Sequence, residues 1–228
     1  MRYYPVFLDL KNVPCLVVGG GQVGERKIRT LQSSGSKIFL VSQDLTPYLE
    51  EQVRHGRIEL LSQLYQTGHL SGKFLVIVAT DDPILNAKIG REARDRGLLC
   101  NVVDKPRECN FILPSLVSRG DLTIAVSTAG KSPALAKKIR QELEEEFSEI
   151  YSLYLDLLGQ IRDEILSRRM PQPENQKIFQ ALIEAPVLSW LETGNFEALY
   201  VLLDQLLDPP YPRYRLNEIL KQPFSPPS

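Results

Sequence analysis

Cys15-Leu16-Val17-Val18-Gly19-Gly20-Gly21-Gln22-Val23-Gly24-Glu25-Arg26-Lys27 decides how the first half of this chain is read. An apolar run leads into a glycine cluster, and the cluster opens onto a helical pattern. Gly19, Gly21 and Gly24 fit G-x-G-x-x-G. In that pattern the first glycine permits a tight turn and the second lets backbone approach a pyrophosphate. The third lets the helix pack closely on the strand, and the helix N-terminus, here Gln22 and Val23, meets the phosphate charge. The same glycines also suit a plain β–α turn, so the motif gains its weight from standing between a strand and a helix.

Outward from this stretch, strand and helix patterns alternate. Strands are expected at Cys15–Val18, Lys37–Ser42, Ile58–Leu61, Phe74–Ala79 and Leu99–Val103. Helices are expected at Val23–Ser34, ended by Gly35, at Pro47–Arg54 behind a Thr46 cap, and from Asp82-Pro83 to about Arg96, ended by Gly97. Such alternation implies an α/β fold with a parallel sheet covered on both faces. Beyond it, Phe111–Leu113 and Leu122–Val126 read as strands. Ser132-Pro133 opens a long helical run, with apolar positions from Leu135 to Ile165, that Pro171 and Pro173 end; it is one helix or two with an unmarked break. Helices follow at about Asn175–Ile183, Pro186–Glu192 and Asn195–Leu207. The proline-rich stretch from Asp208 reads as a surface arm.

A chain of 228 residues with 43% apolar content suits one large or two small folded domains. The net charge of −1 gives no overall steering toward nucleic acid or anionic membranes, so an anionic ligand needs a local cluster of donors. Pro5, Asp9 and Lys11 interrupt the start and argue against a signal peptide, and no apolar run approaches a membrane span. Cys15, Cys100 and Cys109 are odd in number without C-x-x-C spacing, which fits a reducing cytoplasm and argues against structural zinc. The acidic run Glu142, Glu144, Glu145, Glu146 reads as a solvated helix face.

In a doubly wound sheet the ligand lies outside the carboxyl ends of the strands. Thr80 and Asp81 follow the strongest strand there, and Asp82 is placed to cap the next helix. Asn86 stands inside that helix, where its propensity is poor. The acid that usually follows the glycines by about twenty residues is missing from the second strand end. Ser42, Gln43 and Asp44 stand in its place, which leaves NAD against NADP open on the motif; the lack of an Arg tilts the reading toward NAD. Asn101-Val102-Val103-Asp104 ends the next strand, and Asp104 reads equally as a catalytic carboxylate or as a turn former before Lys105-Pro106. Ser127-Thr128-Ala129-Gly130-Lys131-Ser132-Pro133 reads both as a helix-capping loop and as a receiver of carboxylates.

Four features stand in order: VVGGGQVGERK, VIVATDDPILN, CNVVD and AVSTAGKSPALA. Together they resemble the siroheme synthase family, namely precorrin-2 dehydrogenase with or without sirohydrochlorin ferrochelatase activity. The resemblance covers the first 140 residues or so well and continues more loosely to about Leu207. It implies a Rossmann-like NAD-binding domain over residues 1–113, a dimerisation segment over 114–150 and a helical domain with a proline-rich tail over 151–228. It also implies a cytoplasmic homodimer that oxidises precorrin-2 to sirohydrochlorin with NAD⁺, and Fe²⁺ insertion in bifunctional members. Asp104 matches the family's key aspartate, a general acid/base and, in a chelatase, a transient metal ligand. Gly19, Gly21, Gln22, Val23, Gly24, Ser42, Gln43, Asp44, Thr80 and Asp81 are the expected cofactor contacts. Asn101, Ser127, Thr128, Lys131 and Ser132 are the expected substrate contacts. Of the nearby cations Lys105, Arg107, Arg119, Lys131, Lys137 and Lys138, Lys131 is first choice for the macrocycle's carboxylates. Thr128 falls where some members carry a phosphorylatable serine. The chain is too short for the methyltransferase domain of some members, so a separate enzyme is expected to supply precorrin-2. The competing readings are a nucleotide-sensing Rossmann module without chemistry, and an interaction protein dimerising through Leu135–Ile165.

Overall fold

A computed structural model describes residues 3–103 and 105–220. The chain divides into two compact units, Met1–Leu113 and Pro114–Ser228. In the first, five parallel strands lie in the order β3-β2-β1-β4-β5: β1 Pro14–Gly20, β2 Lys37–Leu45, β3 Glu59–Ser62, β4 Leu75–Val78 and β5 Leu99–Val102. The chain winds outward from β1 to β3 and then returns to add β4 and β5 on the other side of β1. The order therefore reverses between β1 and β4, and all carboxyl ends share one edge.

The alternation of side chains along each strand builds two cores, one on each face of the sheet. Cys15, Val17, Leu40, Leu75 and Ile77 point to one face, where Ile28 and Leu31 of α1 (Gln22–Ser33) and Leu49 of α2 (Pro47–Arg54) cover them. Leu16, Val18, Val41, Val76, Val78, Cys100 and Val102 point to the other. There α3 (Pro83–Asp95) contributes Ile89 and Ala93, and the short 3-10 helix Thr67–Leu70 contributes Leu70. Two of the helix starts are set by side chains: Thr46 Oγ1 accepts from Leu49 N–H (3.4 Å), and Asp82 Oδ1 accepts from the amides of Ile84 (2.8 Å) and Leu85 (3.1 Å). In both, proline follows the cap, where its missing N–H costs nothing.

The second unit begins with an antiparallel hairpin, β6 Ser115–Arg119 and β7 Leu122–Val126, turning at Gly120-Asp121. Gly120 has φ +56, and a Cβ there would lie 2.3 Å from Ser152 Oγ. The expected strand at Phe111–Leu113 is not formed. Pro114 follows it, and the Phe111 carbonyl accepts from Asn101 Nδ2 (3.2 Å) instead of joining a ladder. The long helical run is two helices, α4 Pro133–Glu146 and α5 Ile150–Ser167. Arg119 accounts for the break. Its guanidinium donates to the carbonyls of Phe147 (2.8 Å) and Glu144 (3.1 Å), ending α4, and pairs with Glu149 (3.3 Å) ahead of α5.

Pro171 and Pro173 open the next helix, α6 Gln172–Glu184, at positions that need no N–H. Then come α7 Val187–Thr193, α8 Phe196–Leu206 and α9 Arg213–Leu220. Leu157, Ile161, Ile165, Leu182, Leu199 and Leu216 are fully buried in one core. The stretch after Asp208 is thus not all surface arm. Tyr211 (3% exposed) and Leu216 (0%) enter this core, and Glu164 of α5 pairs with Arg215 (2.7 Å). Residues 221–228, the rest of the tail, lie outside the described residues. We expect Ile161→Ala to destabilise the chain by about 2–5 kcal/mol in urea unfolding. Leu166→Ala, at a 52% exposed site, should stay within about 0.5 kcal/mol; equal losses would place the core elsewhere.

Candidate functional site

The β1–α1 turn is compressed against its surroundings. Gly19 has φ +110, and a Cβ on it would lie 2.3 Å from the Ala79 carbonyl oxygen. A Cβ on Gly24 would lie 2.0 Å from the Gly19 carbonyl oxygen. No side chain fits either place, so these two glycines are demanded by the fold. Gly21 differs. Its φ of −76 is open to any residue, and a Cβ there meets nothing within 4 Å. Gly21 is also the N-cap of α1 and gives no side-chain cap, which leaves the first-turn amides facing the carboxyl edge of the sheet. This combination of uncapped donors and an open approach suits a phosphate.

Polar contacts fix the strand ends around the turn. Ser42 Oγ accepts from the Gly20 amide (2.8 Å) and donates to the Asp44 carbonyl (2.7 Å). Gln43 and Asp44 are exposed at this end of β2. Thr80 follows β4, where the Ala79 amide donates to Val18 O (2.8 Å). Its hydroxyl donates to Asn86 Oδ1 (2.5 Å), and Asn86 Nδ2 donates to Thr80 O (2.8 Å). This reciprocal pair explains the buried, low-propensity Asn86 inside α3. Asp81 is exposed beside it. Asn101 lies within β5, with its amide spent on Phe111 O. The Val103 amide donates to Val78 O (2.9 Å), which carries the pairing on to the residue before Asp104. Asp104 itself lies outside the described residues. The return after it is tied to the outer edge of β5. The Val102 amide donates to Cys109 Sγ (3.1 Å), the Cys100 amide to Asn110 Oδ1 (2.8 Å), and Asn110 Nδ2 to Leu98 O (2.7 Å).

Glu25, in the first turn of α1, would compete with an anion at that helix end. It is turned to other partners instead: it accepts from Thr46 Oγ1 (2.5 Å) and from Arg29 Nε (2.9 Å). The Thr46 hydroxyl, then Arg29, hold its carboxyl below the usual range against some desolvation. Burial pushes the Cys100 thiol up to about 12 and raises Cys109, so neither is a ready nucleophile.

The expected substrate contacts of the second unit lie in the β7–α4 loop. Ala129 (φ +53) and Gly130 (φ +81) form its left-handed tip, closed by Lys131 N–H to Thr128 O (3.0 Å). The Thr128 hydroxyl accepts from the Ser132 amide (3.1 Å) and donates to Ser132 O (3.0 Å). Ser132 Oγ caps α4 at Leu135 N–H (3.2 Å), and Ser127 Oγ accepts from the Ala129 amide (3.1 Å). Lys131 is exposed. Arg119, by contrast, is spent on carbonyls of its own unit. Among the described residues, no group of three or more His, Cys, Asp or Glu could hold a metal ion.

Residues 6–115 match the family model described as putative NAD(P)-binding, and residues 119–146 match that of the sirohaem biosynthesis protein central region. Siroheme synthase 1 of Pectobacterium atrosepticum is 39% identical over 207 residues, and the siroheme synthase of Methylobacillus flagellatus 35% identical over 207. This chain is thus similar to siroheme synthases along most of its own length. The two alignments take in 91% and 89% of this chain but 43% and 44% of those proteins, so it spans less than half the length of either relative. A solved structure titled SirC, precorrin-2 dehydrogenase, superposes with a TM-score of 0.76 at 26% identity, over 90% of this chain and 98% of that one.

Sequence reading missed the bonds that position the site: the Ser42 contacts, the Thr46–Glu25 pair and the Thr80–Asn86 pair. Only Asn86 carried a signal, its poor fit to a helix. Two outcomes are expected. Gly24→Ala should cost at least about 2 kcal/mol, since a Cβ would strike backbone, while Gly21→Ala should leave the urea midpoint unchanged. A depressed carboxyl adds stability above its unfolded pKa and loses it as pH falls through the folded value. The melting-temperature gap between wild type and Glu25→Gln should therefore be present at pH 7 and close below about pH 4. A pH-independent gap would contradict the charge-dependent contact.

Proposed function

We propose that this chain oxidises precorrin-2 to sirohydrochlorin with NAD⁺ as the hydride acceptor. The observation that carries the proposal is the likeness to the precorrin-2 dehydrogenase SirC over 98% of that chain, in a protein whose own glycine turn suits a dinucleotide. The residues fit such a cofactor: Gly21 is open where a Cβ would stand, and the α1 amides are uncapped. Gly19, Gly21, Gln22, Val23 and Gly24 would form its phosphate cradle. Gln43 and Asp44 would meet the adenosine ribose, and Thr80 and Asp81 would line the adjoining strand end. The exposed acid Asp44 disfavours a 2′-phosphate, which supports NAD over NADP. When bound, the nicotinamide supplies the hydride acceptor.

The chain's own residues have the remaining tasks. Oxidation also releases a proton, and Asp104 is the proposed base that takes it. Lys131 meets a carboxylate of the macrocycle, and Ser127, Thr128 and Ser132 hold the backbone of its loop in place; Asn101, whose Nδ2 is spent on Phe111 O, does the same for the return after β5. The siroheme synthase relatives favour a second activity, insertion of Fe²⁺ into the product, with Asp104 as its transient ligand. We further propose a cytoplasmic homodimer built on residues 114–150; the free thiols and the exposed Leu116 of β6 support these readings.

The test is anaerobic turnover of precorrin-2 with NAD⁺, followed by sirohydrochlorin absorbance and NADH formation. Turnover is expected, and its absence would contradict the proposal. Gly21→Asp should reduce dehydrogenation by at least about a hundredfold through repulsion of the pyrophosphate. Fe²⁺ or Co²⁺ insertion into sirohydrochlorin, where present, should survive that change. Asp104→Ala should lower kcat for dehydrogenation by about 10²–10⁴.

A further inference from the structure

The pairing of β1 with β2 breaks where the turn begins. Val18 pairs with Val41, but Gly20 pairs with Leu45, so β1 advances two residues while β2 advances four. The two extra residues form a bulge at the carboxyl end of β2, with Gln43 and Asp44 exposed on it. A bulge interrupts the ladder and leaves backbone groups without strand partners. Here one side chain serves them. Ser42 Oγ receives the Gly20 N–H and gives its own proton to the Asp44 carbonyl. The contact is close: a Cβ on Gly20 would lie 2.9 Å from Ser42 Oγ and 2.6 Å from Asp44 O. Beyond the bulge the Thr46 amide returns to Gly20 O (3.2 Å).

We propose that Ser42 is a positioning residue for the cofactor site, stapling the bulge of β2 to the glycine turn. The inference rests on the dinucleotide reading above. Gly20 precedes Gly21, the cap of α1, so a shift at Gly20 moves the amides proposed to hold the pyrophosphate. It also accounts for the missing acid at this strand end. An aspartate at position 42 would accept from Gly20 but has no proton for the Asp44 carbonyl, and would set a charge against it.

The experiment is calorimetric titration of NAD⁺ onto the full chain, wild type and variants, with melting temperatures and steady-state constants for precorrin-2 oxidation. Ser42→Ala should weaken NAD⁺ binding about tenfold, as expected for an orphaned amide. KM for NAD⁺ should rise while kcat at saturation is kept. Ser42→Thr, which keeps the hydroxyl, should restore binding to within about threefold of wild type. Ser42→Asp, despite supplying the usual ribose-binding acid, should bind more weakly than Ser42→Ala. Wild-type affinity in Ser42→Ala, or tighter binding by Ser42→Asp, would overturn the inference. If the alanine variant does not fold, Ser42→Cys against Ser42→Thr gives the same contrast, since a thiol is a poor donor. Failure of the wild type to bind any dinucleotide would count against the dinucleotide reading instead. The staple is then judged by hydrogen exchange: the Gly20 amide should be protected in wild type and lose that protection in Ser42→Ala, and equal protection would overturn it.

Discussion

The Gly19 carbonyl occupies the place that a side chain on Gly24 would need, and the Ala79 carbonyl occupies the place of one on Gly19. The turn after β1 is thus wedged, backbone on backbone, between the first turn of α1 and the end of β4. This contact brings α1 down onto the sheet at the point where the strand order reverses. It aims the amides of α1 at the carboxyl edge and brings Thr80 to the same edge. The surrounding polar pairs then fix one strand end each: Ser42 for β2 and Asn86 with Thr80 for β4.

The proposed phosphate cradle is made of dipoles rather than charge. The chain carries a net charge of −1, and the nearest first-turn acid, Glu25, is engaged by Thr46 and Arg29. That engagement also links α1 to the cap of α2, so one carboxylate serves packing and removes its own repulsion from the helix end. The second unit spends its hydroxyls in the same way. Thr128 and Ser132 hold the loop before α4 rigid and leave exposed Lys131 as the group at its tip able to reach outward.

Much of this was legible in the sequence wherever local chemistry decides. The five strands and three helices of the first unit follow from alternation and punctuation, and Thr46, Asp82 and Ser132 act as the caps their neighbours suggest. The glycine motif marked the turn, although only its folded surroundings separate Gly19 and Gly24, required by the fold, from Gly21, which the fold leaves free. What sequence reading lost was decided at a distance. The helix break at Phe147 depends on Arg119, 28 residues earlier, and no proline or glycine marks it. Phe111–Leu113 looked like a strand by apolar content, but its backbone partner is the Asn101 side chain. Tyr211 was hidden among prolines in an irregular stretch with no periodicity to betray it, and Leu216 in a helix of eight residues, too short to show a clear one.

The central claim is that a dinucleotide lies across the carboxyl edge of this sheet with its pyrophosphate on the first turn of α1. A crystal structure of the chain grown with NAD⁺ tests it most directly. The account predicts phosphate oxygens within hydrogen-bonding distance of the Gln22 and Val23 amides, against the open side of Gly21, and a ribose beside Gln43 and Asp44. A dinucleotide bound away from Gly21, with the α1 amides left to solvent, would contradict it.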